Sequence, residues 1–280
     1  MMINRLLPTA ATLLTLVLPA PAAAQIERRL ERSFTVSSGH TVSVQLSGGS
    51  ITTTTGTGNT VQVTLTYSVD VGSDRQADDV LADFEIAANQ VGDRVEVLGR
   101  RRMESGRRYR ESNRSVRITA NVVMPANVIA DLNTSGGSIT VRGNRTAFTK
   151  ADTSGGSITV DGGSGTLDLD TSGGSIRVGQ ALSSLKADTS GGQISVDYVG
   201  PSATDVNLDT SGGGITVGVD RAAKLRITAG TSGGSVNVEG LSLDNSEFRR
   251  SHVSGTMNGG GGRLSANTSG GSITIQATRR

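Results

Sequence analysis

The stretch "TLDLDTSGGSIRV", Thr166–Val178, decides the fold. Ahead of its glycine pair, Leu167, Leu169 and Thr171 share one face while Asp168 and Asp170 share the other. Past the pair, Ile176 and Val178 alternate with Ser175 and Arg177. Alternation with period two is the signature of a strand with one face buried. Two short strands therefore meet at a glycine corner, and their apolar faces continue across it.

The corner is repeated. "TSGGSI" stands at Thr134–Ile139, Thr153–Ile158, Thr171–Ile176 and Thr268–Ile273, with variants starting at Thr189, Thr210 and Thr231 and an outlying "LSGGSI" at Leu46. The first serines of the later copies fall at 135, 154, 172, 190, 211, 232 and 269, in steps of 19, 18, 18, 21, 21 and 37. A period near 20 residues predicts units that bury their apolar faces only by stacking. The last step spans two units, which places a degenerate copy at "HVSGTMNGG", His252–Gly260. The expected fold class is all-β: a β-solenoid of about 20-residue coils, some eight in number, with a β-rich N-terminal cap containing one short helix.

The corner residues are Gly136 and Gly137, Gly155 and Gly156, Gly173 and Gly174, Gly191 and Gly192, Gly212 and Gly213, Gly233 and Gly234, and Gly270 and Gly271. Glycine pairs permit positive φ and a reversal within a few residues. The threonine ahead of each pair is expected to face inward and hydrogen-bond its copy in the next coil. A phosphate cradle needs a helix after the glycines, and none is indicated here.

Three segments organise the chain. Residues 1–24 read as a signal peptide, with Arg5 ahead of a short apolar run and Ala22-Ala23-Ala24 as cleavage site. Residues 25–125 read as a β-rich N-terminal part, with a short helix at Asp74–Phe84 capped by Ser73 or Asp74, and an Arg-rich loop. Residues 126–280 form the solenoid array. Export, to the periplasm or the cell surface, is expected. No stretch is long and apolar enough to predict a membrane span.

Composition narrows the function classes. With no cysteine there is no disulfide framework or thiolate metal site. Loss of the signal removes Arg5, leaving 26 Lys+Arg against 25 Asp+Glu, so no global field favours nucleic acid. The histidines, His40 and His252, have no partner at metal spacing, and no G-x-S-x-G elbow is present. The chain reads as a non-enzyme without a cofactor.

Three outward features remain. Asp152, Asp170, Asp188 and Asp209 each precede Thr-Ser-Gly-Gly, and stacking brings them to about 4.8 Å spacing. Such a column is either a solvated acidic ridge or a calcium site built from carboxylate oxygens. Outward pairs such as Ser138/Thr140 and Ser157/Thr159 form a hydroxyl array that a surface glycan could use, or one chosen for solubility. Finally, Arg100, Arg101, Arg102, Arg107, Arg108, Arg110, Arg114 and Arg117 lie within 18 residues, opposed only by Glu104 and Glu111. Guanidinium groups in that density either form a solvated loop or bind a phosphate- or carboxylate-bearing envelope polymer.

"MPANVIADLNTSGGSI", the Ser-Gly-Gly-x-Ile corners and the closing "GTMNGGGGRLSANTSGGSITI" together resemble the bacterial putative-adhesin β-strand-repeat family, a domain of unknown function akin to the head GIN domain. The resemblance spans roughly residues 33–276. It implies export, a β-solenoid and an adhesion or envelope role, and it supplies no catalytic residues. The expected function is an adhesin-like rigid solenoid for surface or polymer binding. The alternative is a periplasmic structural or envelope-stress protein that binds anionic polymers through the Arg-rich loop.

Overall fold

The computed structural model describes residues 25–102, 116–143 and 146–278; the expected signal segment lies outside them. The N-terminal part runs β1 (Gln25–Thr35), β2 (Thr41–Leu46), β3 (Ser50–Thr55), β4 (Thr60–Asp70), α1 (Asp74–Leu81), β5 (Phe84–Val91), β6 (Arg94–Arg101) and β7 (Val116–Met124). The array continues with β8 (Ile129–Thr134), β9 (Ile139–Arg142), β10 (Phe148–Thr153), β11 (Ile158–Val160), β12 (Thr166–Thr171) and β13 (Ile176–Val178). Then come β14 (Leu185–Thr189), β15 (Ile194–Val199), β16 (Asp205–Thr210), β17 (Ile215–Asp220), β18 (Leu225–Thr231) and β19 (Val236–Glu239). The chain closes with β20 (Asp244–Arg249), β21 (His252–Met257), β22 (Gly262–Thr268) and β23 (Ile273–Thr278).

These strands form two facing sheets, a β-solenoid as the alternation predicts. One sheet has the order β1-β4-β7-β3-β9-β11-β13-β15-β17-β23-β19, and the other β20-β21-β18-β22-β16-β14-β12-β10-β8-β2-β6-β5. Each coil crosses from the second sheet to the first at a corner, and like residues of successive coils are parallel register partners. Nine such coils stack among the described residues.

The core follows from that register. On one sheet Ile51, Ile139, Ile158, Ile176, Ile194, Ile215 and Ile273 form an unbroken column, none more than 1% exposed. Facing it, Leu132, Ala151, Leu169, Ala187, Leu208 and Ala266 alternate large and small, all fully buried. Alternation lets each leucine fill the space its alanine neighbours leave, so a nearly aromatic-free core still packs densely. Each buried isoleucine or leucine contributes about 1.5–3 kcal/mol of transfer free energy.

The corners hold together differently from expectation. Gly49, at φ 107, is the one corner glycine with positive φ. Glycine is required by close approach: a Cβ on Gly156, Gly174, Gly192 or Gly213 would sit 2.0 Å from the carbonyl oxygen of the matching glycine in the neighbouring coil. At the first glycine of the pair the nearest atom is farther off, 3.5 Å for Gly173 and 3.3 Å for Gly191. The threonine faces inward, but its partner is not its copy. Thr171 Oγ1 donates to the Gly156 carbonyl at 2.8 Å and accepts from its own Gly174 N–H at 3.3 Å. Thr153, Thr189, Thr210, Thr268 and Thr231 repeat both bonds. One hydroxyl thus satisfies two backbone groups that stacking would otherwise leave unpaired.

Spatial order departs from sequence order at both ends. The outlying copy, β2–β3, lies between β6–β7 and β8–β9. The last copy, β22–β23, lies between β16–β17 and β18–β19. "HVSGTMNGG" is therefore not a degenerate coil: it holds β21, which pairs antiparallel with β18 and β20 as a cap. At the other end α1 is capped by Ser73, whose hydroxyl accepts from Gln76 N–H, and buries Ala77 and Val80 in a small cluster with Val69 and Val71.

Candidate functional site

The β6–β7 coil is finished unlike any other. In β2–β3 the crossing from Leu46 to Ser50 takes only Ser47, Gly48 and Gly49. Leu46 pairs with Gly99 of β6 and Ser50 with Thr119 of β7, so the same crossing in β6–β7 runs from Gly99 to Thr119. Gly99 and Thr119, the residues on either side of the Arg-rich stretch, therefore stand where a Ser-Gly-Gly corner begins and ends, at the N-terminal end of the corner column. Leu46 occupies the threonine site because its partner there is Gly99, whose missing side chain leaves room that Leu46 and Ile118 fill.

Of the eight candidate arginines, four are placed. Arg100 pairs with Glu85 at 2.9 Å. The Arg101 guanidinium lies 5.8 Å from the centroid of Phe84. The Arg102 N–H donates to the Asp83 carbonyl at 2.8 Å, and Arg117 lies exposed on β7 opposite Ser68. Arg107, Arg108, Arg110 and Arg114 lie outside the described residues. Beside this corner an open cleft of about 410 Å³, between α1 and β5, is lined by Arg28, Tyr67, Phe84 and Arg102 among others.

The carboxylates form the column that the repeat implies. Asn133, Asp152, Asp170, Asp188, Asp209 and Asn267 are successive register partners. Two residues earlier on the same face, Lys150 and Lys186 interleave with them. Lys150 pairs with Asp152 at 3.5 Å, and Lys186 with Asp188 at 2.8 Å and Asp168 at 3.7 Å. Burial, with Asp170 and Asp168 nearby, holds the Asp152 carboxyl above its ordinary value despite Lys150. The hydrogen bond and charge of Asp188 raise Lys186. Among the described residues no three acidic or histidine side chains converge as metal ligands. Lysine thus balances Asp152, Asp168 and Asp188 on this ridge.

Sequence reasoning missed the groove that this column borders. A shallow polar trough of about 760 Å³ runs past Asp170, Asp188, Asp209 and Asn267 and ends against Ser251 and His252 of the capping hairpin. The lysine signal was present in the "KADT" spelling at 150 and 186; the hairpin wall was not, because it depends on the displaced last copy. The hydroxyl array on the opposite sheet is partly structural. Ser138, Ser157, Ser175 and Ser272 Oγ each accept a backbone N–H from the neighbouring coil at 3.2–3.3 Å.

A family model described as Toastrack DUF4097 matches residues 111–276, and the chain belongs to that family, a domain of unknown function. Solved structures share the likeness at low identity. A putative cell adhesion protein from Clostridium sporogenes is 12% identical with a TM-score of 0.35, over 90% of this chain and 100% of that one. A putative adhesin from Bacteroides fragilis is 12% identical with a TM-score of 0.38, over 90% and 97%. A putative lipid binding protein from Parabacteroides distasonis is 10% identical with a TM-score of 0.26, again over 90% and 97%. No curated protein matches the chain. No helix among the described residues is long and apolar enough to cross a membrane.

Proposed function

We propose that the chain is an exported, non-enzymatic envelope protein, an adhesin-like rigid solenoid that holds an anionic surface or envelope polymer at its arginine-bearing end. One observation carries this reading. In an array whose other corners are cut to two glycines, the two strands that flank one corner position are joined in sequence by a long stretch dense in arginine, and those strands form the outermost coil of that end. A stacked β core presents such a group without the ordering cost of a mobile scaffold. Guanidinium groups bind phosphate and carboxylate bidentately, and exposed ones are screened beyond about 8 Å at physiological ionic strength.

Arg100 and Arg101 also brace β5 through Glu85 and Phe84, so they are poor probes of binding alone. Replacing Arg107, Arg108, Arg110 and Arg114 by Ser is expected to leave the melting temperature unchanged and to abolish salt-sensitive retention on heparin or lipopolysaccharide resin. Wild-type protein that flows through both resins at low salt refutes the reading. Surface protease shaving of intact cells decides between a surface and a periplasmic location: cleavage supports the adhesin, protection the periplasmic structural alternative.

A further inference from the structure

The out-of-order last coil has a physical consequence. Residues 262–278 enter the stack between two coils that precede them in the chain, and three features make that slot exchangeable. First, β22 meets β16 and β18 in one common register. Leu264, Ala266 and Thr268 pair with Val206, Leu208 and Thr210 on one side and with Ile227, Ala229 and Thr231 on the other. The corner bonds on its two sides are those of the other coils: Thr268 donates to Gly213 and Thr231 to Gly271 at 2.7 Å, the same bond found throughout the array.

Second, the last coil hangs on a glycine hinge. Asn258, Gly259 and Gly260 have φ of 50, 79 and 75, and Gly261 and Gly262 follow. Hydrogen bonds fasten this hinge to the linker between β17 and β18. The Asn258 side chain donates to the Arg221 and Ala223 carbonyls, each at 2.8 Å, and Gly262 N–H donates to the Lys224 carbonyl at 2.9 Å. Third, β18 carries the same inward pattern as β22, so withdrawal of the last coil leaves β16 and β18 with matching faces. Ile227 then faces Val206, Ala229 faces Leu208, and Thr231 is placed to donate to Gly213. The large–small alternation across the stack is kept.

We propose that the slot between β16–β17 and β18–β19 is a coil-exchange site whose partner is a second copy of this chain: the last coil of one molecule seats in the slot of another. An exchanged coil makes the same contacts as its own, so the balance is set by chain concentration against the effective concentration that the hinge imposes, on the order of millimolar for a short flexible tether. Molecules crowded on a surface would then be linked end to end without a dedicated interface. This goes beyond polyanion binding and uses none of its arginines.

The absence of cysteine makes the test clean. Asn207 and Ser265 are outward register partners across β16 and β22. Full-length chains bearing Asn207→Cys are mixed with chains bearing Ser265→Cys, incubated below the melting temperature and treated with a short bis-maleimide. The double variant in one chain reports the unexchanged pair. Cross-linked heterodimers are expected to rise with chain concentration and to form faster when both partners also carry Asn258→Gly, which keeps the left-handed hinge but removes its two bonds. Absence of heterodimer at the highest concentration, with the double variant cross-linking normally, overturns the proposal. So does equal cross-linking of Asn207→Cys to Thr52→Cys, a residue remote from the slot.

Discussion

The two ends of the stack are built by one manoeuvre and finished with different chemistry. At the N-terminal end the first coil in sequence, β2–β3, is one position in from the end, covered by β6–β7. At the C-terminal end the last coil in sequence, β22–β23, is likewise covered, by β18–β19. In each case the outermost coil is one whose chain continues at both sides, while the copy nearest a terminus is clamped between neighbours. Solenoids fray from their ends because a terminal coil has one neighbour. Tucking the first and last copies inward gives each of them two neighbouring coils. Past the clamp the ends diverge: β1 and β4 on one sheet and β5 on the other, with α1, close one, and the β20–β21 hairpin closes only one sheet of the other.

If the clamped coils are energetically interior, a buried charge should be as damaging there as at the centre. Ile51, Ile176 and Ile273 are all fully buried. Aspartate at any of the three lacks a partner and is expected to cost several kcal/mol. Val236→Asp on the outermost β19, where the native side chain is 7% exposed, should cost distinctly less. Denaturant midpoints for the four variants check this. A mild Ile51→Asp or Ile273→Asp beside a severe Ile176→Asp breaks the equivalence of clamped and central coils.

Smaller effects are expected at the corners. Gly174→Ala drives a Cβ into the Gly156 carbonyl at 2.0 Å, backbone against backbone, and should cost about 3 kcal/mol, the upper part of the overpacking range. Gly173→Ala meets nothing nearer than 3.5 Å, and Gly48→Ala in the first coil meets nothing within 4 Å; both should cost under about 1 kcal/mol. Thermal melts that rank Gly173→Ala level with Gly174→Ala would remove close approach as the reason for the second glycine.

These corners show where sequence reasoning stopped. The period, the inward and outward faces and the parallel register were legible because alternation and spacing encode them directly. So was the alignment of Asp152, Asp170, Asp188 and Asp209. The role of the glycines was legible as to place but not as to cause: a tight turn and a close approach select the same residue. The order of the last two copies was hidden for a stronger reason. The inward residues of β18 and β22 are interchangeable, so no local pattern says which of them abuts β16. The arginine stretch was visible as composition, while the corner position of the strands it joins needed the pairing of Leu46 with Gly99.

Leu46 sharpens the contrast between the N-terminal end and the interior. Elsewhere that position is a threonine bridging two backbone groups; here it fills the space above Gly99. Leu46→Thr would restore the repeat consensus yet leave a void and a buried hydroxyl, at a cost of about 2 kcal/mol. A neutral or stabilising result, measured by urea unfolding, would mean that the end coil obeys the interior rule after all.

The mildest test changes sign between the end and the interior. In β3, Thr53 is 1% exposed and its Oγ1 has no hydrogen-bond partner. Its register neighbours are Val122 and Val141, and valine continues along the column at Val160 and Val178. A buried, unpaired hydroxyl carries its desolvation cost with no compensating bond, and valine has nearly the same shape. Thr53→Val is therefore expected to stabilise by about 1 kcal/mol. The same exchange at Thr171 should destabilise by a similar or larger amount, since it strips the Gly156 carbonyl and the Gly174 N–H of their shared partner. Urea midpoints at unchanged m-value isolate the two effects. One substitution with opposite signs at two buried threonines separates a hydroxyl tolerated at the end coil from one that stitches the interior together. Two losses of equal size would show that Thr53 is stitched as well.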